Sequence, residues 1–127
     1  MTKPIDSRGH AVADYATAAS FMAVALYYRG RHRQAAAFAA FNAISILTLS
    51  VLTDYPGGLF RTLSFRAHGV VDRVLTAATA AGPALLGFAN DREALIFYGH
   101  AAAETGVIAA TDFSDNAMRD DEVIYGS

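Results

Sequence analysis

The chain has 127 residues, of which 54% are hydrophobic and 17% charged, and its formal net charge is −2. This length fits one domain, and an apolar content above the usual value of about 45–50% indicates contact with a membrane. The small net charge argues against a nucleic-acid partner, and the absence of cysteine excludes disulfides and thiolate metal sites.

Four apolar, alanine-rich segments follow one another along the chain, and short polar or glycine-rich breaks separate them. Each is long enough to form a helix that packs closely through its small residues. The second segment approaches the roughly 20 apolar residues needed to cross a bilayer. Short links between consecutive helices predict an up-down-up-down arrangement. The predicted helices cover residues 11–28, 35–53, 64–88 and 94–111.

A heptapeptide that begins at Arg8 returns at Arg66, with Arg, His, Val and Asp at the same places. The offset is 68 − 10 = 58 residues, and it also aligns Thr53-Asp54-Tyr55 with Thr111-Asp112-Phe113. The chain therefore reads as a duplicated helical hairpin. Two parallel repeats in a membrane pack around a pseudo-two-fold axis along the membrane normal, which brings the two polar signatures to one face.

We therefore predict an all-α fold, an integral membrane up-down four-helix bundle made of two tandem helical hairpins. It occupies residues 1–113, with repeat 1 at about 8–55 and repeat 2 at about 66–113. Residues 114–127 form an acidic tail that is expected to be flexible. The expected location is the cell inner membrane with several passes. The expected partners are the lipid bilayer, and other copies of the chain or a larger membrane complex.

Three His-x-x-x-acid pairs lie on three of the four predicted helices. Residues four apart share one face of a helix. An ionisable side chain in the middle of a membrane helix costs about 2.5–3.5 kcal/mol, so three carboxylates have to be paired, protonated or bound to metal. The pairs are His10 and Asp14, His68 and Asp72, and His100 and Glu104.

One interpretation of these pairs is a structural ion-pair network. Arg8, Arg66 and Arg73 lie near the same face, and acids in the first turns of helices are favoured by the helix dipole. This interpretation explains the aspartates well and Glu104 poorly, because Glu104 is close to the C-terminal end of its helix.

A second interpretation is a metal site in the bundle core. Imidazole and carboxylate ligands without thiolate suit zinc, iron or manganese, and helix bundles hold metals between facing helices. An enzyme would also need an open coordination position, so a membrane-embedded metalloenzyme remains an alternative to a binding or accessory protein. The predicted ligands are His68, Asp72, His100 and Glu104, with His10 and Asp14 forming a second metal site or an outer shell.

A third interpretation is a proton or cofactor site. His10 and His68, or His68 and His100, could serve as paired axial ligands of a haem. Because the chain has no Cys-x-x-Cys-His motif, such a haem would be non-covalent. These three histidines are therefore the candidate cofactor ligands.

The second hairpin also carries a family resemblance. Its helix 3 ends in Gly82-Pro83-Ala84-Leu85-Leu86-Gly87-Phe88, followed by a charged break and a second apolar helix. With these features, residues 68–113 resemble the SPW-repeat type of small bacterial integral membrane protein, although Gly82-Pro83-Ala84 stands where that family has Ser-Pro-Trp. The resemblance implies a two-helix membrane repeat of bacterial origin, and it assigns no catalytic residue.

Overall fold

The computed structural model describes residues 3–114, which form four α-helices and no β-strand. The all-α prediction with four helices is therefore confirmed. The predicted flexible tail, apart from Ser114, lies outside the described residues. The helices are α1 (Ser7–Tyr28), α2 (Arg33–Leu52), α3 (Phe65–Leu85) and α4 (Ala94–Ala110).

Side-chain caps start α1 and α3 just before their histidines. The Asp6 carboxylate accepts a hydrogen bond from the Gly9 amide at 2.8 Å, and the Ser64 hydroxyl accepts one from the Ala67 amide at 3.1 Å. Such caps satisfy backbone donors that the first turn leaves unpaired. The prediction that α1 starts at residue 11 is thus too late, and the first signature lies fully on a helix.

The helices pack as two hairpins, α1 with α2 and α3 with α4. Gly30 and Gly87 adopt φ angles of 95° and 83°, which favour glycine and turn the chain after α1 and α3. His32 and Asp91, one from each of these turns, are in contact at 2.8 Å. Both hairpin turns therefore lie at one end of the bundle, which we call the turn end. The starts of α1 and α3 lie at the opposite end, the site end.

A dry aromatic core fills the bundle toward the turn end. Phe97 lies 4.9 Å from Phe38 and 5.6 Å from Phe88 between ring centroids, and alanines surround all three. At Gly82, a Cβ atom would lie only 2.1 Å from the Phe38 ring. Glycine at this position of α3 therefore allows α2 and α3 to approach each other.

Short backbone bridges join the two hairpins at the site end. Ile5, just before α1, pairs with Thr111 after α4, and Leu63, just before α3, pairs with Thr53 after α2. The two bridges are related by one offset, since 63 − 5 = 58 and 111 − 53 = 58. The segment that leads into each hairpin therefore lies against the end of the other hairpin.

Length and composition identify one candidate membrane span within residues 3–114. It is α2, with a mean hydropathy of 2.0 over its most apolar window. α4 is apolar but has 17 residues, and α1 and α3 carry more polar groups. By this criterion the structure supports one span, not the four predicted from the sequence.

Candidate metal centre

Four side chains of the repeated signature converge at the site end. His10 and Asp14 come from α1 and His68 and Asp72 from α3, and their nearest ligand atoms all lie within 4.8 Å of one another. All four residues are buried, and both histidines are completely inaccessible to solvent. The i, i+4 spacing puts each pair on the inner face of its helix. We call these four residues the His/Asp cluster.

The atoms of the cluster are spaced like the ligands of one small ion. The His10 Nε2 atom lies 3.2 Å from His68 Nε2, 3.3 Å from Asp14 Oδ1 and 3.1 Å from Asp72 Oδ2. The His68 Nε2 atom lies 3.0 Å from Asp14 Oδ2. Four ligands held about 2.0–2.1 Å from a tetrahedral metal are separated by about 3.3 Å. These four residues could therefore hold one small ion.

A threonine fixes the proton of the His68 ring. The Thr53 hydroxyl donates to the Leu49 carbonyl at 2.6 Å, so its oxygen accepts from the His68 Nδ1–H at 2.7 Å. With the proton on Nδ1, the lone pair of Nε2 points into the cluster. A hydrogen bond on the outer nitrogen is the usual way in which proteins orient a metal-binding imidazole.

The other histidine has the same support. The Thr111 hydroxyl donates to the Val107 carbonyl at 2.6 Å and accepts from His10 Nδ1–H at 2.9 Å. Each threonine belongs to the hairpin opposite its histidine. The sequence aligned Thr53 with Thr111 by the offset of 58 but gave neither a role, although that alignment was a usable signal.

The centre of the cluster needs a positive charge. When both rings are neutral, two imidazole lone pairs and two carboxylates meet there, and the Tyr55 hydroxyl donates to Asp14 Oδ2 at 3.0 Å. Buried acceptors without a cation or a donor between them repel one another. A divalent ion would balance both carboxylates, and a proton shared between the rings would balance one.

Aromatic rings close the cluster from outside. His10 meets the Phe65 and Phe113 rings edge-on, with centroids 5.5 and 5.1 Å away. A Cβ atom at Gly69 would lie 2.9 Å from the Phe113 ring, so this glycine makes room for it. A dry wall strengthens the electrostatic interactions within the cluster.

Asp112 follows Thr111 just after the end of α4. Hydrogen bonds from the Ser114 hydroxyl and backbone amide lower the pKa of Asp112 below its usual value. The amide contact to Asp112 Oδ1 measures 2.9 Å and closes a local turn.

The predicted ligand His100 lies outside the His/Asp cluster. Its Nε2 atom contacts the Ser20 hydroxyl at 2.9 Å, and its Nδ1 atom contacts the Ile96 carbonyl at 2.9 Å. The imidazole also stacks on the Phe21 ring at 4.1 Å between centroids. Both ring nitrogens are thus engaged away from the cluster.

The predicted ligand Glu104 also lies outside the cluster, across a small cavity. This cavity has a volume of about 60 Å³, and Asp14, Asp72, His100 and Glu104 are among the residues that line it. A water needs roughly 10–15 Å³ of such volume and polar partners, so the cavity can hold water. Four of the six predicted metal residues therefore form the cluster, and His100 and Glu104 line the cavity beside its two aspartates.

The geometry does not favour the predicted haem. Axial ligands bind on opposite faces of a planar macrocycle, but the Nε2 atoms of His10 and His68 are 3.2 Å apart with both aspartates beside them. There is no room for a porphyrin between these rings. His100, the third predicted cofactor ligand, makes its hydrogen bonds elsewhere.

A second group of polar residues, at the turn end, has a structural role. His32 Nδ1 accepts from the Ala35 amide at 3.1 Å, so Nε2 carries the proton that is donated to Asp91 at 2.8 Å. This histidine caps α2 and ties the two hairpin turns together. It has no free nitrogen for a metal.

Comparison of the chain with protein-family models, with curated proteins and with solved structures found no match. The resemblance to SPW-repeat proteins therefore stays a prediction. The function has to be inferred from the site itself.

Proposed function

We propose that this protein binds one divalent metal ion in its His/Asp cluster, inside a membrane-embedded helix bundle. The observation that carries the proposal is the orientation of His10 and His68. Thr111 and Thr53 accept the Nδ1 protons, so both Nε2 lone pairs point at the same position. Two imidazoles and two carboxylates suit zinc, iron or manganese.

The exposed faces of the helices support a location in lipid. In α2 beyond Arg33, and throughout α4, every exposed position is uncharged. A helix that is apolar all round is normally buried in protein or in a membrane. At 1.5 Å per residue, helices of 20 to 22 residues are about 30 Å long, which matches the hydrocarbon thickness. The large exposed side chains include Leu26, Phe41, Ile44, Leu47, Val74 and Leu95.

The depth of the cluster agrees with this location. Asp14 and Asp72 each lie seven residues after the first residue of their helix, about 10 Å along the helix axis. The cluster therefore lies close to one membrane face, where an ion and its ligands can exchange with water. A divalent cation balanced by two carboxylates carries little net charge into the bilayer, which reduces the cost of burying them.

Elemental analysis of the detergent-purified protein tests the metal proposal. We expect about one zinc, iron or manganese ion per chain, and none in His68→Ala. The matched control is His32→Ala, because His32 lies at the other end of the bundle. A chelator should lower the melting temperature of the wild type, and added zinc should restore it, since an ion that binds only the folded state stabilises it.

The result that overturns the metal proposal is a wild type that is metal-free and whose melting temperature responds to neither chelator nor metal. The cluster would then be a proton-linked ion-pair network. Membrane location is tested separately, by extraction of cell membranes at alkaline pH. Recovery in the soluble fraction without detergent would overturn the membrane location.

The small cavity favours a second candidate, a membrane metalloenzyme. A metal-bound water could occupy it opposite Glu104, whose carboxylate is of the type that accepts protons in metal-assisted hydrolysis. In the cobalt-substituted protein, azide should shift the visible spectrum if the metal has an open position. Ala103→Leu, which fills the cavity, should abolish that shift while cobalt is retained. An azide-insensitive wild type would leave only the binding role.

A further inference from the structure

A surface groove runs along the second hairpin. It lies between α3 and α4, has a volume of about 650 Å³, and is lined mainly by small residues. At four of the positions related by the offset of 58, the first hairpin carries larger side chains. Ala80, Ala102, Thr105 and Ala109 line the groove, where hairpin 1 has Met22, Ile44, Leu47 and Val51.

Two cations mark the site end of the groove. Lys3 and Arg73 belong to its lining, and the other lining residues are uncharged. The Arg73 guanidinium lies over the Phe113 ring, 5.3 Å from its centroid, which holds the charge at the rim. Hairpin 1 has Tyr15 at the position equivalent to Arg73, and this tyrosine donates to the Gly57 carbonyl at 2.7 Å.

We propose that this groove binds an anionic membrane phospholipid. Its phosphate lies at Lys3 and Arg73, and an acyl chain follows Ala77 and Ala80 toward the turn end. The proposal rests on the membrane location proposed above, because the cations then lie near the lipid headgroups. A volume of 650 Å³ falls in the range of about 300–1,000 Å³ that ligand pockets occupy.

The charge pattern explains the choice of an anionic lipid. Each Lys or Arg near a membrane surface contributes about 1 kcal/mol of attraction to anionic lipid. The groove offers two such cations and no carboxylate in its lining. The acyl chain of a zwitterionic lipid would fill the apolar part of the groove equally well. Its neutral headgroup would be attracted only weakly to Lys3 and Arg73.

Native mass spectrometry of the detergent-solubilised protein tests this proposal. Phosphatidylglycerol should be retained about tenfold more strongly than phosphatidylcholine of the same chain length. The preference should disappear in the double variant Lys3→Gln/Arg73→Gln. Binding of both lipids should be lost in Ala80→Met/Ala102→Ile, which gives the groove the residues of hairpin 1. The control Ala37→Ile, on an exposed face of α2, should bind as the wild type does.

Three results would overturn the lipid proposal. They are equal retention of the two lipids by the wild type, retention in the filled-groove variant, and displacement of phosphatidylglycerol by millimolar inorganic phosphate. A dimer that the filled-groove variant loses would assign the groove to a second copy instead. Metal content measured in the same samples separates the two proposals, because loss of lipid with metal intact affects only this one.

Discussion

The two hairpins share one signature but surround it differently. In hairpin 1, Asp14 contacts both histidines and also accepts from the Tyr55 hydroxyl. In hairpin 2, Asp72 contacts His10 at 3.1 Å, and Phe113 stands at the position equivalent to Tyr55. Hairpin 2 also carries the groove between α3 and α4. If the proposed ion is bound, hairpin 1 supplies more of the contacts around it than hairpin 2.

The largest difference in metal affinity between the two hairpins is expected when each aspartate is removed in turn. We expect Asp14→Ala to weaken metal affinity by more than about 100-fold, because it removes contacts to both His10 and His68, whereas changes around ligands typically cost about 10–100-fold. Asp72→Ala should have a smaller effect. Competition with a zinc indicator measures both affinities. Equal losses would show that the two halves hold the ion equally.

The two threonines should instead behave alike. Thr53→Val and Thr111→Val keep the side-chain shape but remove the oxygen that accepts from His68 or His10. Each should lower metal affinity by about 10–100-fold. The same competition assay provides the measurement, and Thr105→Val, outside the cluster, is the control. A loss confined to one variant would mean that only one imidazole is oriented by its threonine.

Two glycines of hairpin 2 test how closely its helices pack against their neighbours. Gly82→Ala would place a methyl group 2.1 Å from the Phe38 ring, and such overpacking costs about 1–3 kcal/mol. Gly106→Ala meets nothing within 4 Å on α4 and should be neutral or stabilising by up to about 1 kcal/mol. Thermal unfolding in detergent compares the two variants. A Gly82→Ala protein as stable as the wild type would show that α2 and α3 can separate freely.

The smallest change in metal affinity is expected at Tyr55 and Phe113, which occupy equivalent positions and differ by one hydroxyl. Tyr55→Phe keeps the buried ring but removes the donor to Asp14, so metal affinity should fall by about tenfold. Phe113→Tyr adds a hydroxyl to hairpin 2 and should leave affinity within about threefold of the wild type. Isothermal titration with zinc would measure both. If Tyr55→Phe bound zinc as tightly as the wild type, the hydrogen bond from Tyr55 to Asp14 would contribute nothing to metal affinity.

Much of this architecture could be predicted from the sequence. Apolar segments indicated four helices, and the offset of 58 aligned the residues that later proved to make equivalent contacts. The His-x-x-x-Asp spacing placed each pair on one helix face. Spacing along one helix does not, however, reveal which neighbouring helix that face meets. The structure had to show that α1 and α3 supply all four members of the cluster.

His100 and Glu104 illustrate that limit. Their spacing is the same as that of the aspartate pairs, but the offset aligns them with Asn42 and Ile46, which carry no matching signature. That difference could have separated them from the ligand set. The hydroxyl of Thr53 was harder to recognise, because threonines that bond to a carbonyl four residues earlier are common in helices.

The reciprocal threonine contacts have a consequence for assembly. Because His10 relies on Thr111 and His68 on Thr53, neither hairpin can orient its own imidazole. An ion bound as proposed above would join the two hairpins through one set of ligands. It would bind only after both hairpins have been synthesised and have packed together.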